Sequence, residues 1–336
     1  MKRPSRKIVV TQKFFDDAAI AYLRAQDCDV EIATLPDNTG EGQLSPAQIE
    51  TLLAGAGGWI VGHAHITRDV LERLPDLAII SRRGVGYEKV DTDAATDLGK
   101  VVTIAAGGND ASVADQVIGM MISVGRRFGE AHNAMSDGRW NILVGTELYR
   151  KTVGIIGFGR IGRSLAKRLT GFEAEILVDT PRLSQEDIDA FGLQQADFDT
   201  IVERCDYISI HAPLNAGTRH MFNADVFARM KSNAILINTA RGGLVNDADL
   251  LEALQTKRIL GAGLDVFESE ANPSLLPVTN ALLALPNLIA APHAGASTEE
   301  ALKRTNMIAA QCVVDVLNGE TPPASCVVAD GRTVYV

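Results

Sequence analysis

The sequence predicts an α/β chain of two parallel-sheet domains, and three observations carry that expectation. Short runs of β-branched and aliphatic residues alternate with helix-length polar segments through the first hundred residues. The alternation restarts at Val153. With 336 residues the chain exceeds one ordinary core, since domains run to about 100–200 residues.

In the first stretch the strand candidates are "KIVVTQ", "DVEIAT", "GGWIVG", "LAIISR" and "VVTIAA". The polar segments between them have the length of crossover helices, which a parallel sheet requires. Gly107 and Gly108 then make a break, and Asp110 or Ser112 is placed to cap a long apolar helix in "GGNDASVADQVIGMMISVGRR". That helix reads as a connector between the domains. From Val153 on, "TVGIIGFG", "EAEILVDT", "CDYISIHAP", "NAILINTA", "LGAGLDVF" and "NLIAAPH" are six further strands, enough for a doubly wound sheet. A long helical stretch, "EEALKRTNMIAAQCVVDVLNGE", follows "HAGAST" and precedes a tail with prolines.

Composition excludes several function classes. Against 32 basic residues stand 42 acidic ones, a formal charge of -10, which repels nucleic acid and anionic membranes. Cys28, Cys205, Cys312 and Cys326 are scattered without a C-x-x-C pair or histidines at ligand spacing. No metal is expected, and reduced thiols fit a cytoplasmic compartment. "MKRPSRKIVV" lacks the apolar run of a secretory signal, and no stretch of about 18 apolar residues predicts a membrane span.

Gly157, Gly159 and Gly162 satisfy G-x-G-x-x-G in "VGIIGFGRIGRSLAKRL". The motif alone is weak, but here a strand precedes it, a helix follows, and a second strand ends in Asp179 about 20 residues on. The first glycine permits the tight turn, the second lets the backbone approach a pyrophosphate, and the third lets helix and strand pack closely. Asp179 would accept hydrogen bonds from the adenosine ribose hydroxyls and repel a 2′-phosphate, which predicts NAD over NADP. Arg182 is the nearby residue that works against that preference.

"INTARGGLVN", "GLDVFESEANP" and "APHAGAST" each carry polar residues just past an apolar run. Arg241, Asp265, Glu270 and His293 therefore belong at the carboxyl edge of the sheet, where open α/β folds bind ligands. Removing a hydride from a hydroxyl-bearing carbon requires a base for the O–H proton, and an imidazole titrates near neutrality, so His293 is the candidate. Glu270 would stabilise the imidazolium. Arg241 would hold a carboxylate or carbonyl oxygen with its planar fork of donors. The bland alternatives are a capping His293, a loop-capping Arg241 and a Glu270 that is a surface acid beside Glu268.

These stretches, with "RRGVGYEKVD", "HAPLNAGTRHMFN" and "MKSNAILINTARGGLVNDADLLEAL", resemble the D-isomer-specific 2-hydroxyacid dehydrogenase family over nearly the whole chain, in its phosphoglycerate dehydrogenase-like branch. The resemblance implies a Rossmann NAD-binding domain over residues 109–297, inserted into a flavodoxin-like substrate domain of residues 1–108 and 298–336. It implies an NAD-dependent oxidoreductase that interconverts an (R)-2-hydroxy acid and a 2-keto acid. Arg241 would bind substrate, Glu270 would be the partner acid and His293 the acid/base.

For the cofactor the resemblance implies Arg160 and Ile161 at the pyrophosphate, Asp179 at the ribose, and Pro213 and Thr218 on the adenosine side. Thr239, Ala240, Asp265, Gly295 and Ala296 would complete its contacts. Val85 and Gly86 would offer backbone amides to the substrate carboxylate, with Arg82 beside them. A homodimer is implied, joined through residues 112–149 and including Trp140.

Three departures bear on substrate and regulation. Where many phosphoglycerate dehydrogenases carry a phosphate-binding arginine, this chain has Gly62, followed by His63 and His65. "ESEANP" is longer than the usual E-x-E-P, and Asp115 replaces a glutamate. No C-terminal regulatory domain is expected. Both a hydroxypyruvate- or glyoxylate-like substrate and a 3-phosphoglycerate-like one stay open, as do a phosphite-dehydrogenase-like enzyme and an NADH-responsive, corepressor-like binding protein.

Overall fold

The computed structural model describes residues 4–36 and 39–332. The chain divides into two compact units, one of Met1–Asn109 with Ala296–Val336 and one of Asp110–Gly295.

In the first unit the expected runs form β1 (Lys7–Val10), β2 (Asp29–Ile32), β3 (Gly58–Val61), β4 (Ile79–Arg82) and β5 (Val101–Ile104). They pair in parallel in the order β5-β4-β3-β1-β2. β3 and β4 are buried along their whole length because helices cover both faces of the sheet. One covering helix is Glu299–Leu317, which puts Ala309, Ala310, Val313 and Leu317 against Ile8, Ile60 and Ile79. Thr298 caps it by accepting the amide of Ala301, and Glu299 and Glu300 favour the positive end of its dipole.

The proline-containing tail, which carries no strand pattern in the sequence, contains one more strand, β13 (Val327–Asp330), antiparallel to β5. All four cysteines are free and buried.

The second unit holds β6 (Thr152–Ile156), β7 (Glu175–Asp179), β8 (Leu193–Gln195), β9 (Tyr207–Ile210), β10 (Ile235–Asn238), β11 (Gly261–Leu264) and β12 (Leu288–Ala290). All pair in parallel, in the order β12-β11-β10-β9-β6-β7-β8. The sheet therefore has seven strands rather than the expected six. The extra one, β8, is a short polar edge held by backbone pairing to β7.

The helix expected at Asp110 or Ser112 runs over Asp110–Gly125. Ser112 lies within it and is not its cap; the hydroxyl instead donates to the carbonyl of Gly295 at 2.6 Å. Ala114, Val117, Met120 and Met121 of this helix pack on Val153, Ile155 and Ile237. The connector is thus a structural layer of the second unit. Among the described residues no helix is long and apolar enough to cross a membrane.

Candidate functional site

The winding of the second sheet reverses between β6 and β9, and ligands of such sheets bind outside the strand ends at that reversal. The glycine-rich loop lies there. Gly157 follows β6 with φ 88°, in the left-handed region, and its amide donates to the carbonyl of Asp179 at 2.9 Å. A Cβ at Gly157 would come within 2.8 Å of the backbone of His211 and Ala212 beyond β9, so the turn is closed to larger residues.

The helix Arg160–Leu169 starts directly after Gly159, and first-turn amides have no acceptor inside their own helix. Space around Gly159 is open on the side where a Cβ would stand. A diphosphate fits this cradle of amides and positive dipole.

Asp179 ends β7, half-buried. Burial, together with the charge of Asp197, raises its pKa above the usual carboxylate value. A pair of ribose hydroxyls would offer this carboxylate hydrogen-bond donors.

Further along the same edge, the Thr239 hydroxyl is buried and finds no hydrogen-bond partner among the described residues. Ala240 is next to it, its amide donating to the Asn238 side chain. Thr218 pins the turn after β9 by donating to the carbonyl of Pro213 at 2.6 Å. The open space at Gly159 and the orphaned Thr239 hydroxyl are both features that a bound dinucleotide would satisfy.

The reacting candidates come from the ends of β10, β11 and β12. Asn238 is fully buried, and its side-chain amide donates to the carbonyl of Arg241, which shapes the turn that presents the guanidinium. Arg241 Nη1 donates to the carbonyl of Ala240 at 2.6 Å. His293 Nδ1 lies 2.7 Å from Glu270 Oε2, with both side chains a little over two-fifths exposed.

The hydrogen bond and charge of Glu270 raise the pKa of His293 against the opposing pull of burial and Arg241. Burial pushes the Glu270 carboxyl upward, but the bonds from His293 and the Phe267 amide, with the charges of His293 and Arg241, leave it below the ordinary value. The pair thus favours the imidazolium and the carboxylate over their neutral forms, with Nε2 as the nitrogen facing away from Glu270.

His293 adopts φ 53°, a left-handed backbone that costs a non-glycine residue about 1–3 kcal/mol. Asp265 holds it there. The Asp265 carbonyl accepts the amide of His293, and its buried carboxylate accepts the amides of Ala294 and Gly295, all three at 2.8 Å. Both carboxylate oxygens of Asp265 thus anchor the histidine loop, a positioning role that its place in the sequence does not announce.

Glu268, two residues before Glu270, is buried. It lies 2.6 Å from His220 Nε2, and it exchanges backbone-to-carboxylate hydrogen bonds with Asp247 at 3.1 and 3.0 Å. Burial first, then the nearby acids, push the Asp247 pKa up to about 6. This exchange ties the segment after Arg241 to the turn Glu268–Glu270. His211, beside Gly157, likewise carries no signal in the sequence; burial lowers its pKa to about 4, and Ser209 Oγ lies 2.9 Å from its Nε2.

Val85, Gly86 and Arg82 lie elsewhere, at the carboxyl end of β4 in the first unit, with Arg82 buried. Ala296 opens the returning segment of that unit.

Residues 118–295 match the family model described as D-isomer specific 2-hydroxyacid dehydrogenase, NAD binding domain. The chain is 38% identical over 317 residues to a D-3-phosphoglycerate dehydrogenase of Methanocaldococcus jannaschii, an alignment that covers 94% of this chain and 58% of the relative. It is 37% identical over 244 residues to a hydroxypyruvate reductase of Thermotoga maritima, covering 72% of this chain and 78% of the relative. Among solved structures it is similar to a D-lactate dehydrogenase with NAD+ from Lactobacillus jensenii, with a TM-score of 0.78 and 28% identity, covering 96% of this chain and 99% of that one. The chain spans little more than half the length of the phosphoglycerate dehydrogenase it matches.

Proposed function

This chain belongs to the D-isomer specific 2-hydroxyacid dehydrogenase family, and from that premise we propose that it is an NAD-dependent oxidoreductase interconverting an (R)-2-hydroxy acid and a 2-keto acid. The observation that carries the reading is the 2.7 Å contact of His293 with Glu270 on the same sheet edge as Arg241. The cofactor domain in this reading is residues 109–297 and the substrate domain residues 1–108 with 298–336, supported by the compact units Asp110–Gly295 and Met1–Asn109 with Ala296–Val336.

Gly157, Gly159, Arg160, Ile161 and Gly162 would hold the pyrophosphate of NAD. Asp179 would take the ribose, Pro213 and Thr218 the adenosine side, and Thr239, Ala240, Asp265, Gly295 and Ala296 the remainder. When bound, NAD supplies the hydride acceptor, and NADH the donor.

His293 donates its Nε2 proton to the carbonyl oxygen in reduction and takes the hydroxyl proton in oxidation. Glu270 stabilises the imidazolium and fixes the ring through Nδ1. Arg241 aligns the substrate and polarises the carbonyl. Val85 and Gly86 amides, with Arg82, receive the carboxylate.

The test is oxidation of NADH, and separately NADPH, by the purified protein against glyoxylate, hydroxypyruvate, pyruvate, branched 2-keto acids and phosphohydroxypyruvate. Turnover of at least one with NADH, and a preference for NADH set by Asp179, is expected. Silence across the panel with NADH bound would overturn the reaction, and faster turnover with NADPH the cofactor assignment.

A homodimer is part of the same reading. Its support is the run of exposed apolar side chains Trp140, Ile142 and Val144, of which Ile142 is 94% exposed. Light scattering should give twice the chain mass of 35.9 kDa, and a monomer at micromolar concentration would refute it. Four buried free thiols support a reducing, cytoplasmic setting.

A further inference from the structure

The first unit has a ligand-receiving edge of its own. Its winding reverses between β1 and β3, and the crevice beyond those two strand ends is where an open sheet accepts a ligand. The residues there are Thr11 and Gln12 after β1, and Gly62 and His63 after β3.

Glu41 enters this crevice from the short turn Glu41–Gln43 and is only 7% exposed. Its carboxylate accepts the amide of Gly62 at 3.2 and 3.0 Å and Gln12 Nε2 at 2.5 Å. It also accepts the amide of His63 and the hydroxyl of Thr11. Thr11 is fixed in turn by Trp59 Nε1 at 2.9 Å.

Two successive amides, a hydroxyl and a carboxamide are what a phosphate or a second carboxylate would use at a strand end. Here the protein's own carboxylate engages all of them. A Cβ on Gly62 would lie 2.1 Å from Gln12 Nε2, so a basic side chain at position 62 would displace the Gln12 carboxamide from Glu41.

β3 and β4 are adjacent, with Val61 opposite Arg82 and the Arg83 amide donating to the Val61 carbonyl at 3.0 Å. In the proposed reading, where the Val85 and Gly86 amides beyond β4 receive the substrate carboxylate, the end of β3 is one strand spacing away, ~4.8 Å, within reach of the substrate tail.

We propose that Glu41 is a specificity-determining residue: its carboxylate occupies the anion seat at the end of β3 and restricts the substrate to 2-keto and 2-hydroxy acids with an uncharged tail. The proposal rests on the reaction proposed above. A phosphorylated tail would bring a charge of about −1.5 to −2 against a carboxylate whose surrounding donors are already engaged.

The experiment compares kcat/KM for hydroxypyruvate and 3-phosphohydroxypyruvate in the wild-type protein, Glu41→Gln and Glu41→Ala. The wild type should favour the unphosphorylated acid by about tenfold or more, because the phosphorylated tail brings like charges together. Glu41→Gln keeps the shape of the seat without its charge, and should raise the phosphorylated-to-unphosphorylated ratio by about tenfold, mainly through KM. A wild type that prefers the phosphorylated acid, or a ratio unchanged in a folded Glu41→Gln, overturns the proposal.

Calorimetric titration with inorganic phosphate reads the seat without catalysis. Binding about tenfold tighter in Glu41→Gln than in wild type supports it, and equal affinity overturns it. A protein silent on both acids would refute the reaction, and the titration would still decide the role of Glu41.

Discussion

Replacing His293 by alanine lowers kcat for keto-acid reduction by about two to four orders of magnitude, the range that a positioned proton donor contributes. The loss falls on kcat because the proton is needed only as negative charge develops on the carbonyl oxygen. NADH affinity should change little, since the glycine-rich turn and Asp179 depend on β6 and β7, not on the loop after β12. One structural side effect has a definite sign. His293 carries φ 53°, a conformation that alanine tolerates no better, so the variant retains the strain while losing the bond to Glu270. His293→Asn is the control, because asparagine accepts left-handed backbone more readily. Steady-state kinetics with fluorescence titration of NADH measures both quantities. Near-normal turnover in either variant would remove His293 from the chemistry.

What was legible in the sequence follows from how each residue acts. β6, β7, β9, β10 and β11 are buried apolar runs, so composition alone marks them. β8, "LQQ", and β13, "VVAD" behind two prolines, lie at sheet edges, where backbone pairing replaces side-chain burial and leaves little pattern to read. Gly157, Asp179, Arg241, Glu270 and His293 stand at strand ends or in the turns that follow, a position that a one-dimensional reading locates well.

Contacts across sequence distance are another matter. Asp265 is recognisable as a polar residue after β11, but its grip on the amides of Ala294 and Gly295 depends on β11 and β12 being neighbours. Glu268 has no assigned role in the sequence, because its partners Asp247 and His220 come from other turns of the fold. Glu41 sits between β2 and β3 in a polar stretch with no periodic signal, and its carboxylate matters only because the fold brings Gly62 and His63 onto it.

Glu270→Gln moves the pH dependence of the reaction in a direction fixed by the perturbation already present. Glu270 raises the pKa of His293, chiefly through the hydrogen bond at Nδ1 and then through its charge. Glutamine keeps an oxygen for that bond but carries no charge, so the imidazole pKa falls toward, or below, its ordinary value, with Arg241 still pressing it down. Reduction requires protonated His293, so kcat/KM for the keto acid declines as pH rises through this pKa. In Glu270→Gln that decline begins at lower pH, and a midpoint lower by about one pH unit leaves about a tenth of the protonated fraction on the alkaline side. Oxidation of the hydroxy acid needs the neutral ring, so its rising limb moves in the same direction, toward lower pH, and the variant loses more in reduction than in oxidation at neutral pH. Profiles of both directions between pH 5 and 9 separate this from a simple loss of structure, which would lower both without moving either midpoint. A midpoint unchanged from wild type would show that Glu270 orients the ring without stabilising its charge.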